Sequence, residues 1–137
     1  MVVPNKSKYR KQFRGKMRGR ATSGTRVAFG EYGLKAVGRG WLRQRHVEAA
    51  RQAMVHATKR EGKIWLRVVN DKPITSKTSG ATMGGGKGEV VDHVAVIKPG
   101  RVIFEIGGVG EEEAKRALKL AADKLPFKTK IISNQLI

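Results

Sequence analysis

Three groups of residues in this 137-residue chain are of types that could do chemistry: three histidines, a run of three glutamates, and a glycine cluster holding one lysine. His46, His56 and His93 read as lying on different elements, and no two stand at the spacing of a metal site. His93 falls within a predicted strand, where a partly buried structural role fits it. Glu111, Glu112 and Glu113 suit the positive end of a helix dipole, which accounts for them without catalysis. Gly84, Gly85, Gly86, Lys87 and Gly88 place exposable amide N–H groups beside a cation, as a phosphate cradle does. A nucleoside-triphosphate loop is excluded, because its first glycine would fall on Ala81 and Gly88 stands where a magnesium-holding Ser or Thr is needed. What remains is a loop whose backbone can lie close to a nucleic-acid phosphate. With no catalytic constellation, the chain reads as a non-enzyme with no cofactor, no metal and no small-molecule substrate.

Binding chemistry is far better represented. The first 26 residues carry nine cations (Lys6, Lys8, Arg10, Lys11, Arg14, Lys16, Arg18, Arg20 and Arg26) and no carboxylate. Residues 1–60 hold 16 lysines and arginines against two acids, a net of +14, and residues 61–137 hold 13 against nine, a net of +4. A segment so charged, with little apolar surface to bury, needs a polyanion to lie on, and nucleic acid is the partner implied. Lys35, Arg39, Arg43, Arg45, Arg51 and Arg60 continue the same sign beyond the leader and are assigned to phosphate contact with it. Aromatic residues are few and those in predicted strands look like core, so base stacking is expected to be a minor theme. Sequence-independent recognition of backbone and shape should dominate, as suits structured RNA.

The elements that must position these cations can be read from apolar spacing. Thr25–Phe29 and Tyr32–Val37 read as two short extended stretches, and Gly38–Trp41 breaks the pattern. Val47, Ala50, Met54 and Ala57 recur at helical spacing, which predicts a helix with a basic side from about Arg43 to Arg60, ended by Gly62. Ile64–Val69 predicts a strand stopped by a turn at Asn70–Pro73, and Ile74–Gly88 predicts a mobile loop. Val90–Ile97 and Arg101–Ile106 predict a hairpin closed by Lys98-Pro99-Gly100. A second helix follows from Glu111 to Leu125, with Ala114, Ala117, Leu118 and Ala121 on one face, and Lys128–Ile132 predicts a last strand. The expected fold class is α+β, a mostly antiparallel sheet packed by two helices, with residues 1–24 as an extended basic arm and 25–137 as a single domain.

Composition narrows the setting. Absence of cysteine excludes disulfides and thiolate metal sites, and no apolar run approaches the roughly 20 residues that cross a bilayer. The chain therefore reads as soluble, not secreted and without a membrane partner. The leader shows no helical apolar stripe of the kind an organelle transit peptide would need.

Several motifs, taken in order, resemble one family. Pro4-Asn5-Lys6-Ser7-Lys8-Tyr9-Arg10-Lys11, Phe29-Gly30-Glu31-Tyr32-Gly33-Leu34-Lys35-Ala36-Val37, Val47-Glu48-Ala49-Ala50-Arg51, Gly62-Lys63-Ile64-Trp65, Asp71-Lys72-Pro73-Ile74-Thr75, Met83-Gly84 with Lys87-Gly88, Lys98-Pro99-Gly100-Arg101, Lys119-Leu120-Ala121-Ala122, and Lys124-Leu125-Pro126 with Lys128-Thr129 are similar to bacterial-type large-subunit ribosomal protein sixteen. The resemblance implies an α/β-hammerhead type domain that binds large-subunit rRNA near the aminoacyl-tRNA site and the peptidyl-transferase centre, among neighbouring ribosomal proteins. It implies an arm, Lys6 to Arg20, against rRNA, and a loop, 76–88 with Lys77, Thr82, Met83, Gly84, Gly85, Gly86 and Lys87, reaching toward tRNA. It also implies a cytoplasmic place in the ribosome, or one in an organellar ribosome. The chain departs from the family pattern at Thr82, where an arginine is usual, at Gly85 and Gly86, where a cation is common, and at Asp92-His93, where an aromatic is common. The alternative is a free-standing architectural nucleic-acid-binding protein, which shares the charge but has no need of the glycine loop.

Overall fold

The structure is a computed structural model that describes residues 17–76, 87 and 89–134. Within these residues the order is β1 (Tyr32–Ala36), β2 (Gly40–Arg43), α1 (Gln44–Ala57), β3 (Lys63–Leu66), β4 (Lys72–Ser76), β5 (Glu89–Ile97), β6 (Val102–Gly107), α2 (Glu111–Ala122) and β7 (Thr129–Ser133). The class is α+β, with two helices and antiparallel strands.

The strands divide between two sheets rather than forming one. Four make the order β3-β6-β1-β7 and three make β2-β5-β4. β6 lies between β1 and β3 and is buried at all six positions, as its β-branched and aromatic residues favour. Val47, Ala50 and Met54 of α1 and Ala114, Ala117, Leu118 and Ala121 of α2 are buried, and they join Leu34, Phe104 and Ile106 in one core. Each Phe or Leu so buried contributes about 1.5–3 kcal/mol relative to exposure. The helices pack on each other, with α2 against β1 and β7 and α1 reaching β2 and β5, so one core serves both sheets.

Several expectations need correction. Val90–Ile97 and Arg101–Ile106 are joined by the expected turn, with Gly100 at φ +101°, yet they do not pair as a hairpin. β5 pairs with β2 and β4, and β6 with β1 and β3. The turn switches the chain between sheets because both strands find apolar partners elsewhere. Gly38–Trp41 was expected to end extended structure, but Gly40–Arg43 is β2, in register with Val94–Ile97. Asn70–Pro73 was expected as a turn, yet β4 starts at Lys72. Pro73 is tolerated there because β4 is an edge strand. Of the two stretches before Gly38, only Tyr32–Ala36 is a strand.

The first helix ends at Ala57 rather than near Arg60, and Lys59 and Arg60 take φ of +54° and +64°. The Arg60 N–H donates to the Val55 carbonyl at 2.9 Å, so Lys59 occupies the left-handed position that glycine usually fills after a helix. Gly62 follows at φ +79°, where an added Cβ would lie 2.6 Å from the Gly107 carbonyl oxygen. That close approach lets the chain turn directly into β3.

Candidate nucleic-acid interface

The segment that follows the leader, Ala28–Gly30, is fixed to the larger sheet by a buried carboxylate. Glu105 alternates with Phe104 and Ile106 along β6, so its side chain leaves the opposite face from theirs. It is fully buried, and its Oε1 accepts the backbone N–H groups of Ala28, Phe29 and Gly30 at 2.9, 2.8 and 2.8 Å. The Arg67 guanidinium, just past β3, donates to Oε2 and also to the Arg26 carbonyl at 3.2 Å. Burial pushes the Glu105 pKa up, but the Gly30 N–H, Arg67, and the Phe29 and Ala28 N–H groups outweigh it and hold the carboxyl below the ordinary glutamate range. The charge is thereby used to clamp three consecutive backbone amides just past the leader.

Upstream, Met17–Gly24 is tied mainly through its backbone. The Ala21 N–H donates to the Pro99 carbonyl at 2.9 Å, and the Gly24 carbonyl accepts from the Val102 N–H at 2.8 Å. Arg39 donates to the Met17 carbonyl at 2.8 Å, and Arg101 to the carbonyls of Ser23 and Arg67 at 3.4 and 2.8 Å. Because main-chain groups and body arginines make these contacts, Arg18 and Arg20 stay exposed. A polar cleft between this segment and the smaller sheet includes Arg20, Lys72, Lys98 and Arg101, with Asp71 as its carboxylate.

A third cationic group surrounds α1. Arg43 caps the helix, its backbone N–H donating to His46 Nδ1 at 3.1 Å. Burial, with Arg45 and Arg43, lowers the His46 pKa against an opposing pull from Asp92, so the imidazole is a neutral acceptor near neutrality. Arg45, Arg51 and Arg60 are exposed, Arg51 pairing with Glu48 at 2.5 Å, while Lys35 is half-buried in β1. His46 and His56 share α1, which corrects their assignment to different elements, and His93 is half-buried in β5. Glu111 at the start of α2 pairs with Lys115 at 2.8 Å.

These geometries present cations from the leader, the cleft and α1 around one small body. The chain matches the ribosomal protein L16p/L10e family over residues 4–132. It is also 56% identical, over 132 residues covering 96% of this chain and 94% of the relative, to the large ribosomal subunit protein uL16 of Kosmotoga olearia. The chain belongs to the ribosomal protein L16p/L10e family.

In this member of the L16p/L10e family, the residues expected at the interface from sequence fall into three classes. Arg18, Arg20, Arg39, Arg45, Arg51 and Arg60 are exposed, and Lys35 and Arg43 are half-buried. Lys6, Lys8, Arg10, Lys11, Arg14 and Lys16 lie outside the described residues, as do Lys77, Thr82, Met83, Gly84, Gly85 and Gly86. Lys87 is exposed, and the ends of the glycine-rich segment are fixed by pairing of Ser76 in β4 with Glu89 in β5.

Glu105, Arg67 and Arg101, which organise the leader, were not foreseen as functional. The available signal was a lone acid inside Val102-Ile103-Phe104-Glu105-Ile106, because an acid on a buried strand needs nearby donors. Among the described residues no helix is long and apolar enough to cross a membrane, and no group of three or more His, Asp or Glu could hold a metal ion.

Proposed function

We propose that the chain is a structural, non-enzymatic constituent of the large ribosomal subunit. It binds large-subunit rRNA beside neighbouring ribosomal proteins and helps position tRNA near the aminoacyl site and peptidyl-transferase centre. Residues 1–24 act as a basic arm rooted on a single domain, 25–137, of α/β-hammerhead type. The loop 76–88 reaches toward tRNA, and the chemistry of peptide bond formation belongs to RNA.

The observation that carries this reading is the set of exposed cations Arg18, Arg20, Arg39, Arg45, Arg51 and Arg60 around a body to whose larger sheet Glu105 and Arg67 clamp the backbone of Arg26–Gly30. A polybasic segment on a fixed root neutralises phosphates without reorganising the body. Membership in the L16p/L10e family supports rRNA as the polyanion.

Titration of the full chain with large-subunit rRNA at rising salt tests the reading. If roughly six to ten phosphates are neutralised, affinity falls by about three to five orders of magnitude between about 50 and 200 mM salt on the duplex-DNA scale, with a similar trend for RNA. Replacing Lys8, Arg10, Lys11 and Arg14 with Ala flattens that dependence and weakens incorporation into the subunit while leaving the thermal melt in place. Salt-independent binding would overturn the reading.

A further inference from the structure

We propose that Phe29 and Trp65, flanked by Lys63 and Arg67, form a stacking platform for an unpaired base of the bound RNA; the inference rests on the rRNA-binding reading above. Phe29 is 62% exposed, the highest value among the exposed large hydrophobic side chains of the described residues. A large ring left in water is unfavourable, yet this one sits on backbone held from 28 to 30 by Glu105. It lies 6.4 Å from Trp65 at an interplanar angle of 22°. The Arg67 guanidinium stands 5.0 Å from the Phe29 ring centre, and Lys63 Nζ stands 5.4 Å from that of Trp65.

Glycines make room for this arrangement. An added Cβ on Gly30 would lie 3.0 Å from the Trp65 ring and 2.7 Å from the Ile106 carbonyl oxygen, and one on Gly107 would lie 3.3 Å from Trp65. The indole therefore rests directly on main chain, and both rings are set before any ligand arrives. Aromatic rings with cations at their margin are what a single-stranded nucleotide uses, since the base stacks and its phosphate meets the cation. The Arg67 guanidinium is paired with Glu105, so the exposed Lys63 ammonium beside Trp65 is the charge a phosphate would meet, which favours a nucleotide over an apolar protein surface as occupant.

The test uses the full chain carrying Trp41→Phe, so that Trp65 alone reports, and an oligoadenylate as probe. Oligoadenylate is expected to quench Trp65 emission, whereas inorganic polyphosphate of matched charge leaves it unchanged. Phe29→Leu is expected to weaken oligoadenylate binding roughly tenfold with polyphosphate binding intact, and Phe29→Tyr to restore most of the loss. Labelled oligoadenylate that binds Phe29→Leu at full strength, or that binds without altering Trp65, overturns the platform and leaves the rRNA reading standing. Loss of a neighbouring protein, with unchanged rRNA binding, from particles reconstituted with Phe29→Leu would assign the patch to protein and also overturn it. Failure of the unsubstituted chain to bind any RNA overturns the functional reading itself.

Discussion

The two sheets hold their attached segments by different means. In the four-stranded sheet, β6 is buried throughout, and its carboxylate at Glu105 gathers the Ala28, Phe29 and Gly30 amides and a guanidinium. In the three-stranded sheet the brace is a neutral amide: Asn70 Nδ2, fully buried, donates to the Leu42 carbonyl at 2.9 Å and to that of His93 at 3.2 Å. A buried charge is tolerated only when several donors converge on it, so the Glu105 site specifies one position for the Ala28–Gly30 backbone. An amide shared between two carbonyls joins β2 to β5 at lower cost and with less at stake. The larger sheet thus fixes the backbone of Ala28–Gly30, and the smaller one pairs Ser76 with Glu89 at the two ends of the glycine-rich segment.

Breaking the carboxylate clamp gives the largest expected effect. Glu105→Gln leaves Arg67 without its counter-charge and must set its N–H₂ against either the guanidinium or the Ala28–Gly30 amides, all of them donors, so a loss of about 3 kcal/mol in unfolding free energy is expected by chemical denaturation. Faster hydrogen exchange at Ala28–Gly30 should accompany it, and unchanged exchange there would remove the clamp from the account. Acid reaches the same contacts. Because the folded-state pKa of Glu105 lies below its unfolded value, its contribution is present above the ordinary glutamate pKa, about 4.3, and is lost as pH falls through the lower folded value. Amide exchange at Ala28–Gly30 measured at falling pH, corrected for intrinsic rate, should show protection fading below the ordinary glutamate range and not near neutrality.

The amide brace should yield a smaller, local effect. Asn70→Ala leaves two buried carbonyls without that donor and is expected to cost about 1–2 kcal/mol, with exchange accelerated in β2 and β5 but not in β6. Equal acceleration in both sheets would erase the contrast between them. The smallest change lies at the end of α1, where Lys59→Gly relieves a left-handed lysine and should stabilise the chain by about 0.5–1 kcal/mol, read as a raised midpoint of unfolding.

Legibility in the sequence follows the same division. Both helices, β1, β5, β6 and β7 were visible because their apolar residues repeat at helical spacing or cluster in β-rich runs. β2 and β4 were hidden by Gly40 and Pro73, residues that punctuate most chains and that an edge position accommodates here. The split into two sheets was hidden because a turn sequence fixes where the chain reverses, not which strands pair beyond it. The cationic leader was plain from charge alone, but its anchor was not, since Glu105 and Gly30 are 75 residues apart. Aromatic counting pointed to a minor role for stacking, and only the exposure of Phe29 beside Trp65 and two cations suggests otherwise.

Sedimentation of lysate through a sucrose gradient, with and without ribonuclease, tests the central claim most directly. A constituent of the large subunit travels with large-subunit particles and shifts to light fractions once the RNA is digested. A chain confined to light fractions in both gradients, as a free-standing nucleic-acid-binding protein away from ribosomes would be, contradicts it.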